Sequence, residues 1–177
     1  MTAQLEAVLS ALDRLNALSH EGAVAELLRV CGSARWADEV ARRRFFVDPR
    51  ALRAASEAAW DALDSEDWGE AFACHTRLGE QGRPAGRAGA WPSSEQAGMR
   101  SAADRTLAGL ARAQRLYEER FGRVFLICAT GKSGEEMLGQ CEARLANDPE
   151  TELIVAAGEE RKIGRLRLEK LLLEGGV

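Results

Sequence analysis

The chain has 177 residues, 46% of them hydrophobic, and its 24 basic and 28 acidic side chains give a formal net charge of −4. That is enough apolar material for one domain with a sizeable core, and it excludes a disordered chain. The acidic balance implies no general attraction to nucleic acid, and the apolar runs are far too short to span a membrane. The N-terminal MTAQLEAVLSALDRLN places acids at amphipathic spacing where a signal peptide needs basic residues and a continuous apolar core. The expectation is a soluble cytoplasmic protein folded as a single domain over 1–177.

Helical periodicity dominates from the start. Leu5, Val8, Leu9, Leu12 and Leu15 recur at three- and four-residue spacing and predict one face of a first helix. Val24, Leu27, Leu28 and Cys31 predict a second, stopped by Gly32 and Ser33. Trp36, Val40 and Phe45 suggest a third. A fourth starts with Asp48 as N-cap and Pro49 at the first helical position, and buries Leu52, Ala55, Ala59 and Leu63. SEDWGEAFACH restarts with Ser65 as its cap. Gly79 to Pro92 is the one long loop. SEQAGMRSAADRTLAGLARAQRLYEERFG then reads as a single long helix closed by Gly122. RVFLICAT is a β-like run, but one short run cannot build a sheet. Ser133 and Glu136 form a capping box for the next helix, and the last begins at NDPETEL. The pattern predicts an all-α bundle of about seven to nine helices.

Two motifs tempt a functional reading. TGKS at 130–133 has the end of a phosphate-binding P-loop, but the glycine the pattern needs at 126 is Leu126, and the capping box already explains Ser133. The basic clusters RRR (42–44) and RKIGRLR (161–167) lie among acids on helices and read as solvated faces. Cys31, Cys74, Cys128 and Cys141 form no CxxC pair, and only two histidines exist to join them on a metal. Buried thiols in a reducing compartment are expected, without a metal site or a disulfide framework.

Three positions resist a purely structural reading. If 65–76 is helical, Trp68, Phe72 and His75 share one face, so the imidazole joins the large aromatics. A core histidine is the plain alternative, but a histidine at a helix end beside a glycine-rich loop also suits a pocket and proton transfer near neutral pH. Glu95 and Gln96 open a helix, where the dipole favours a carboxylate and the unpaired N–H groups can hold an anionic or carbonyl-bearing ligand. On a wheel of about 100° per residue with Ile163 at zero, Arg167 falls at about 40°, inside the apolar stripe, while Arg165 falls at about 200°. An inward guanidinium needs a carboxylate, either from the protein or from a bound substrate.

The chain resembles the OHCU decarboxylases, which act on 2-oxo-4-hydroxy-4-carboxy-5-ureidoimidazoline in the oxidation of uric acid to (S)-allantoin. LLRVCGSARWADEVARRRFF is similar to the family's Cys-Gly-Ser…Trp block, HTRLGE to its His-Pro-Arg-Ile-Gly block and WPSSEQAG to its Trp-Ser-x-x-Glu-Gln-x-Gly block. YEERFGRVFLICATGKSGEEML and RLAND resemble its Phe-Gly segment, its Gly-Arg-Ser helix start and its Arg-Leu-x-Asn helix end. ERKIGRLRLEKLL resembles its Lys-Ile-x-x-x-Arg-Leu. Each block is weak alone; their order and spacing together are specific, and they run over most of the chain.

The resemblance implies an all-α, cofactor-free carboxy-lyase, often a homodimer, that takes a small-molecule substrate and needs no metal, nucleic acid or membrane. It places catalytic roles on His75 and Glu95 and substrate-binding roles on Gln96 and Arg167, with the histidine and the Glu-Gln pair facing each other across a pocket. Two positions depart from the family. Thr76 stands where proline is usual. Pro92 stands where an active-site serine is usual, so that Ser93 or Ser94 takes that role if the loop is one or two residues shorter. The alternatives are a divergent homologue acting on a related ureido or hydantoin acid, and a helical interaction protein without activity.

Overall fold

The computed structural model describes residues 2–78 and 93–174, and the side chains of residues 6–78 and 104–173. Its elements are α1 (Thr2–Ala17), α2 (His20–Leu28), α3 (Ala34–Arg42), α4 (Pro49–Asp61), α5 (Ser65–Ala73), α6 (Ser93–Phe121), α7 (Gly134–Arg144) and α8 (Pro149–Glu174). Among the described residues there is no strand, so the fold is all-α, as the periodicity predicts. The expected loop from Gly79 to Pro92 lies outside the described residues.

The chain divides into two compact units, Met1–Cys74 with Ala157–Val177, and His75–Ala156. The first is built on α1 to α5 and the C-terminal part of α8. Its buried side chains include Leu12, Leu15, Leu27, Trp36, Val40, Leu52, Phe72, Leu168 and Leu172. The predicted face of α4 is buried at all four positions, Leu52, Ala55, Ala59 and Leu63, with Asp48 capping the Ala51 N–H at 2.7 Å and Pro49 following it. Trp36 anchors α3 on α4 by donating its indole N–H to the Ser56 carbonyl at 3.1 Å. Glu70 and Asp67 of α5 reach the start of α3, accepting from the Ala34 N–H and the Arg35 guanidinium.

Several local elements differ from the sequence pattern. α3 stops at Arg42, and Phe45 lies beyond it, 79% exposed; the neighbouring Phe46 is the buried one, its backbone tied to the Asn16 amide by two hydrogen bonds of 2.9 Å. Leu9 and Leu28 are exposed, because the cores of α1 and α2 are carried by Ala11, Leu12 and Leu15 and by Ala23, Leu27 and Val30. α5 is capped by Asp64 rather than Ser65: the Asp64 carboxylate accepts from Glu66 N–H and Asp67 N–H, and Asp67 returns the bond, a reciprocal box that a serine one residue later cannot form. Nor do the basic clusters simply face solvent. Arg44 donates to the carbonyls of Leu15, Leu18 and Ser19 at the end of α1, and Arg161 and Arg165 converge on Glu57. All four cysteines are free thiols, but only Cys31 and Cys141 are buried; Cys74 is exposed and Cys128 half-buried.

The second unit has its own core of Leu110, Ala113, Tyr117, Phe125, Ile127 and Cys141 between α6, the 122–133 connector and α7. Gly122 ends α6 with φ +67°, the left-handed conformation glycine adopts without a steric cost. RVFLICAT forms no strand: Phe125, Leu126 and Ile127 are buried consecutively in an irregular connector, where a one-sided strand would alternate. Its polar backbone is satisfied in part by Arg144, which donates to the Leu126 carbonyl at 2.7 Å. Arg144 also pairs with Glu152, whose carboxylate accepts from the Tyr117 hydroxyl and from the Asn147 amide at 2.7 Å. The Ser133–Glu136 capping box of α7 is present in both directions, as predicted.

Candidate functional site

His75 leaves α5 rather than extending it. The helix ends at Ala73 with Cys74 as C-cap, whose N–H donates to the carbonyls of Ala71 and Phe72. The shared helical face expected for Trp68, Phe72 and His75 therefore stops at Phe72, which is buried. His75 is half-buried and its Nε2 is shielded from solvent, while Thr76, in the place of the family's proline, is exposed.

Downstream of the histidine, the chain is held on α6. Arg77 forms a two-pronged pair with Glu118, Nε to Oε1 at 2.7 Å and Nη2 to Oε2 at 2.6 Å, and the hydrogen bond and charge of the guanidinium hold the Glu118 carboxyl below the usual carboxylate range. One turn earlier, the Gln114 amide accepts the Leu78 N–H at 2.9 Å and donates to the Leu78 carbonyl at 3.1 Å. None of these partners was selected from the sequence. The signal was available for Gln114: it lies between Leu110, Ala113 and Tyr117 on the apolar face, the kind of misplaced polar residue that singles out Arg167.

Ser93, Ser94, Glu95 and Gln96 occupy the first turn of α6, so a carboxylate does open that helix. Their side chains, and Pro92, lie outside the described ones.

Arg167 is half-buried on α8, as the wheel predicts, and Arg165 is exposed. Its protein partner differs from the expectation. Arg167 Nη1 donates to the Val30 carbonyl at 3.3 Å, and among the described residues no carboxylate forms an ion pair with it. Its positive charge reaches Cys31, a thiol that burial pushes up to about 12; a hydrogen bond from the Ser33 backbone and the charge of Arg167 act against that rise, and the buried Glu160 acts with it. His75, Glu95 and Gln96 belong to the second unit and Arg167 to the first.

A family model described as OHCU decarboxylase matches residues 16–169. The chain belongs to the OHCU decarboxylase family. It is 31% identical over 144 residues to the Uric acid degradation bifunctional protein TTL of Arabidopsis thaliana, a match that covers 80% of this chain and 44% of that one. The chain thus spans less than half the length of that relative. It is 30% identical over 167 residues to the 2-oxo-4-hydroxy-4-carboxy-5-ureidoimidazoline decarboxylase of Amia calva, covering 90% of this chain and 93% of that one. Among solved structures, it is similar to an OHCU decarboxylase crystallised in the presence of (S)-allantoin, with a TM-score of 0.65, 29% identity and coverage of 83% of this chain and 96% of that one. An (S)-allantoin synthase shares the fold, with a TM-score of 0.64 at 17% identity over 90% of this chain and 53% of that one. The OHCU decarboxylase blocks from the Cys-Gly-Ser corner to Arg167 all fall inside the matched range.

Proposed function

We propose that this protein is a carboxy-lyase that converts 2-oxo-4-hydroxy-4-carboxy-5-ureidoimidazoline to (S)-allantoin in uric acid degradation, without a cofactor. The observation that carries this reading is the family match across 16–169, together with near-complete coverage of a relative and of a solved structure that bear that activity in their names. Arg167 adds support from the chain itself: an inward guanidinium whose hydrogen bond among the described residues is to one backbone carbonyl keeps donors for an anionic ligand.

Loss of CO₂ breaks the bond between the ring carbon and the carboxyl group, and the electron pair left behind delocalises into the adjacent C=N. A proton must then be delivered to one face. His75 with Glu95 takes the proton of the carbinol hydroxyl, which becomes the ring carbonyl, and delivers one to a single face of the neighbouring ureido-bearing carbon, Gln96 holds the ring or ureido amides, and Arg167 pairs with an anionic or carbonyl oxygen. Ser93 or Ser94 supplies the hydroxyl that Pro92 lacks. Orientation and fixed charge account for most of the acceleration. The reading treats 1–177 as one functional domain, acting as a homodimer in the cytoplasm; four free thiols suit a reducing compartment.

The decisive experiment is circular dichroism of freshly generated substrate with and without the protein. Spontaneous decay gives racemic allantoin; the enzyme gives a growing signal of one enantiomer, unchanged by a metal chelator. Racemic product at saturating protein rejects the reading, and a signal lost on chelation and restored by zinc rejects its cofactor-free part. Light scattering on the same sample tests the homodimer.

A further inference from the structure

We infer that Gln114 is a positioning residue for His75: its buried amide clamps Leu78 and so fixes the short segment carrying the histidine on the helix whose first turn carries Glu95 and Gln96. The inference rests on the functional reading above, in which His75 transfers the proton.

Gln114 is 1% exposed and sits within the apolar face of α6, beside Ala113 and Tyr117. An apolar side chain there would extend the core, so stability alone does not call for an amide. What the amide does is specific. Its oxygen accepts the Leu78 N–H and its nitrogen donates to the Leu78 carbonyl, the same pair of bonds an antiparallel strand would supply. Among the described residues the segment has no strand neighbour, and without the amide both backbone groups would need other partners. The Arg77–Glu118 pair fixes the adjacent residue one turn further along the same helix. His75 thus lies between the C-cap of α5 at Cys74 and a doubly anchored dipeptide at 77–78. A histidine that must meet a reacting atom within a few tenths of an ångström gains from such anchoring, because small misplacements cost about tenfold to a hundredfold in rate.

The test uses Gln114→Met, which keeps the length and removes both hydrogen bonds, Gln114→Glu, and Leu138→Ala, which trims the same core and leaves both hydrogen-bonding partners of the clamp in place. Enantioselective turnover is followed by circular dichroism across pH, with thermal melts and hydrogen exchange at the Leu78 amide. In Gln114→Met, kcat should fall about tenfold or more with KM within about twofold, and Leu78 should lose its protection. Leu138→Ala should lower the melting temperature and leave kcat nearly unchanged. In Gln114→Glu, a protonated carboxyl can both accept and donate, whereas a carboxylate can only accept. Its kcat relative to wild type should therefore rise as the pH falls, a profile that a merely structural role would not produce and that remains readable if Gln114→Met does not fold. Unchanged kcat in Gln114→Met, equal kcat losses in Gln114→Met and Leu138→Ala, a flat Gln114→Glu ratio, or retained Leu78 protection would each overturn the clamp. Racemic product from the wild type would instead overturn the functional reading on which it stands.

Discussion

The side chain of Cys74 occupies the space a β-carbon on Gly32 would need: that carbon would stand 2.7 Å from Cys74 Cβ and collide with its sulfur as well. The corner between α2 and α3 is thereby packed against the C-cap of α5, and Cys74 is covalently next to His75. Gly32→Ala should destabilise the protein by about 1–3 kcal/mol, as overpacking does, and should lower turnover by displacing the residue that precedes the histidine. Gly32→Ala combined with Cys74→Gly removes both colliding atoms and should recover most of the loss. Urea midpoints and enantioselective rates of the two single variants and the double variant check this; a double variant no better than Gly32→Ala alone would show that Cys74 is not the obstacle.

The parts of the fold set by local chemistry were legible in the sequence. Asp48-Pro49 and the Ser133–Glu136 box name their helix starts because a cap acts within one turn, and the four-residue face of α4 follows from periodicity alone. The end of α5 was not legible. ACHTRLG holds no glycine or proline before Gly79, and what takes the chain out of the helix is distant in sequence: Gln114 on Leu78 and Glu118 on Arg77. The pattern predicted Phe45 inside for the same reason in reverse, since a helix wheel continued past Arg42 ignores the Asn16 clamp that buries Phe46. Of the candidate site, Arg167 was placed inward from spacing alone, but its Val30 partner depends on a turn 137 residues away.

Arg144 and Glu152 are buried together with Tyr117, so each charge depends on the other. Glu152→Gln keeps the shape and removes the charge, leaving a buried guanidinium uncompensated; the expected loss is about 3–5 kcal/mol. Chemical denaturation measures it. Glu152→Gln combined with Arg144→Met should recover a large part, since an apolar replacement of the pair removes the orphaned charge. A Glu152→Gln midpoint within error of wild type would mean that the network does not hold the α7–α8 junction.

Glu57 accepts from both Arg161 and Arg165, and these hydrogen bonds and charges hold its carboxyl below its ordinary value of 4.5. A depressed folded-state pKa means that the unfolded chain takes up the proton first on acidification. The stabilisation is therefore fully present above about 4.5 and is lost as pH falls through the lower, folded value. Glu57→Gln should lower the urea midpoint at pH 7, and the gap to wild type should close as the pH is taken well below 4.5. A gap that widens on acidification would contradict the sign.

His75→Asn should leave the helical signal and the melting temperature close to wild type and cut turnover by about 10²–10⁴-fold, the usual contribution of a general acid–base group. The comparison with Gln114→Met separates the two roles: loss of the imidazole should not be relieved at any pH. A His75→Asn protein with more than about half the wild-type rate would return His75 to the rank of a half-buried structural residue.

Arg165 and Arg167 lie two positions apart on α8 and differ in what they meet. Arg165 is exposed and its guanidinium pairs with Glu57, whereas Arg167 is half-buried, donates to the Val30 carbonyl at 3.3 Å and has no carboxylate partner among the described residues. If the substrate supplies the missing anion, Arg167→Lys should be poorly tolerated, because an ammonium cannot reproduce a two-pronged guanidinium contact. A lost charged hydrogen bond of about 1.5–3 kcal/mol corresponds to roughly a tenfold to hundredfold fall in kcat/KM. Arg165→Lys keeps a cation beside Glu57 and should change turnover little, at the cost of a small loss in stability. Both variants preserve net charge, so the pair controls for long-range electrostatics. Measured enantioselective rates that fall alike, or a silent Arg167→Lys, would remove Arg167 from the substrate and leave it as a tie to the Val30 carbonyl.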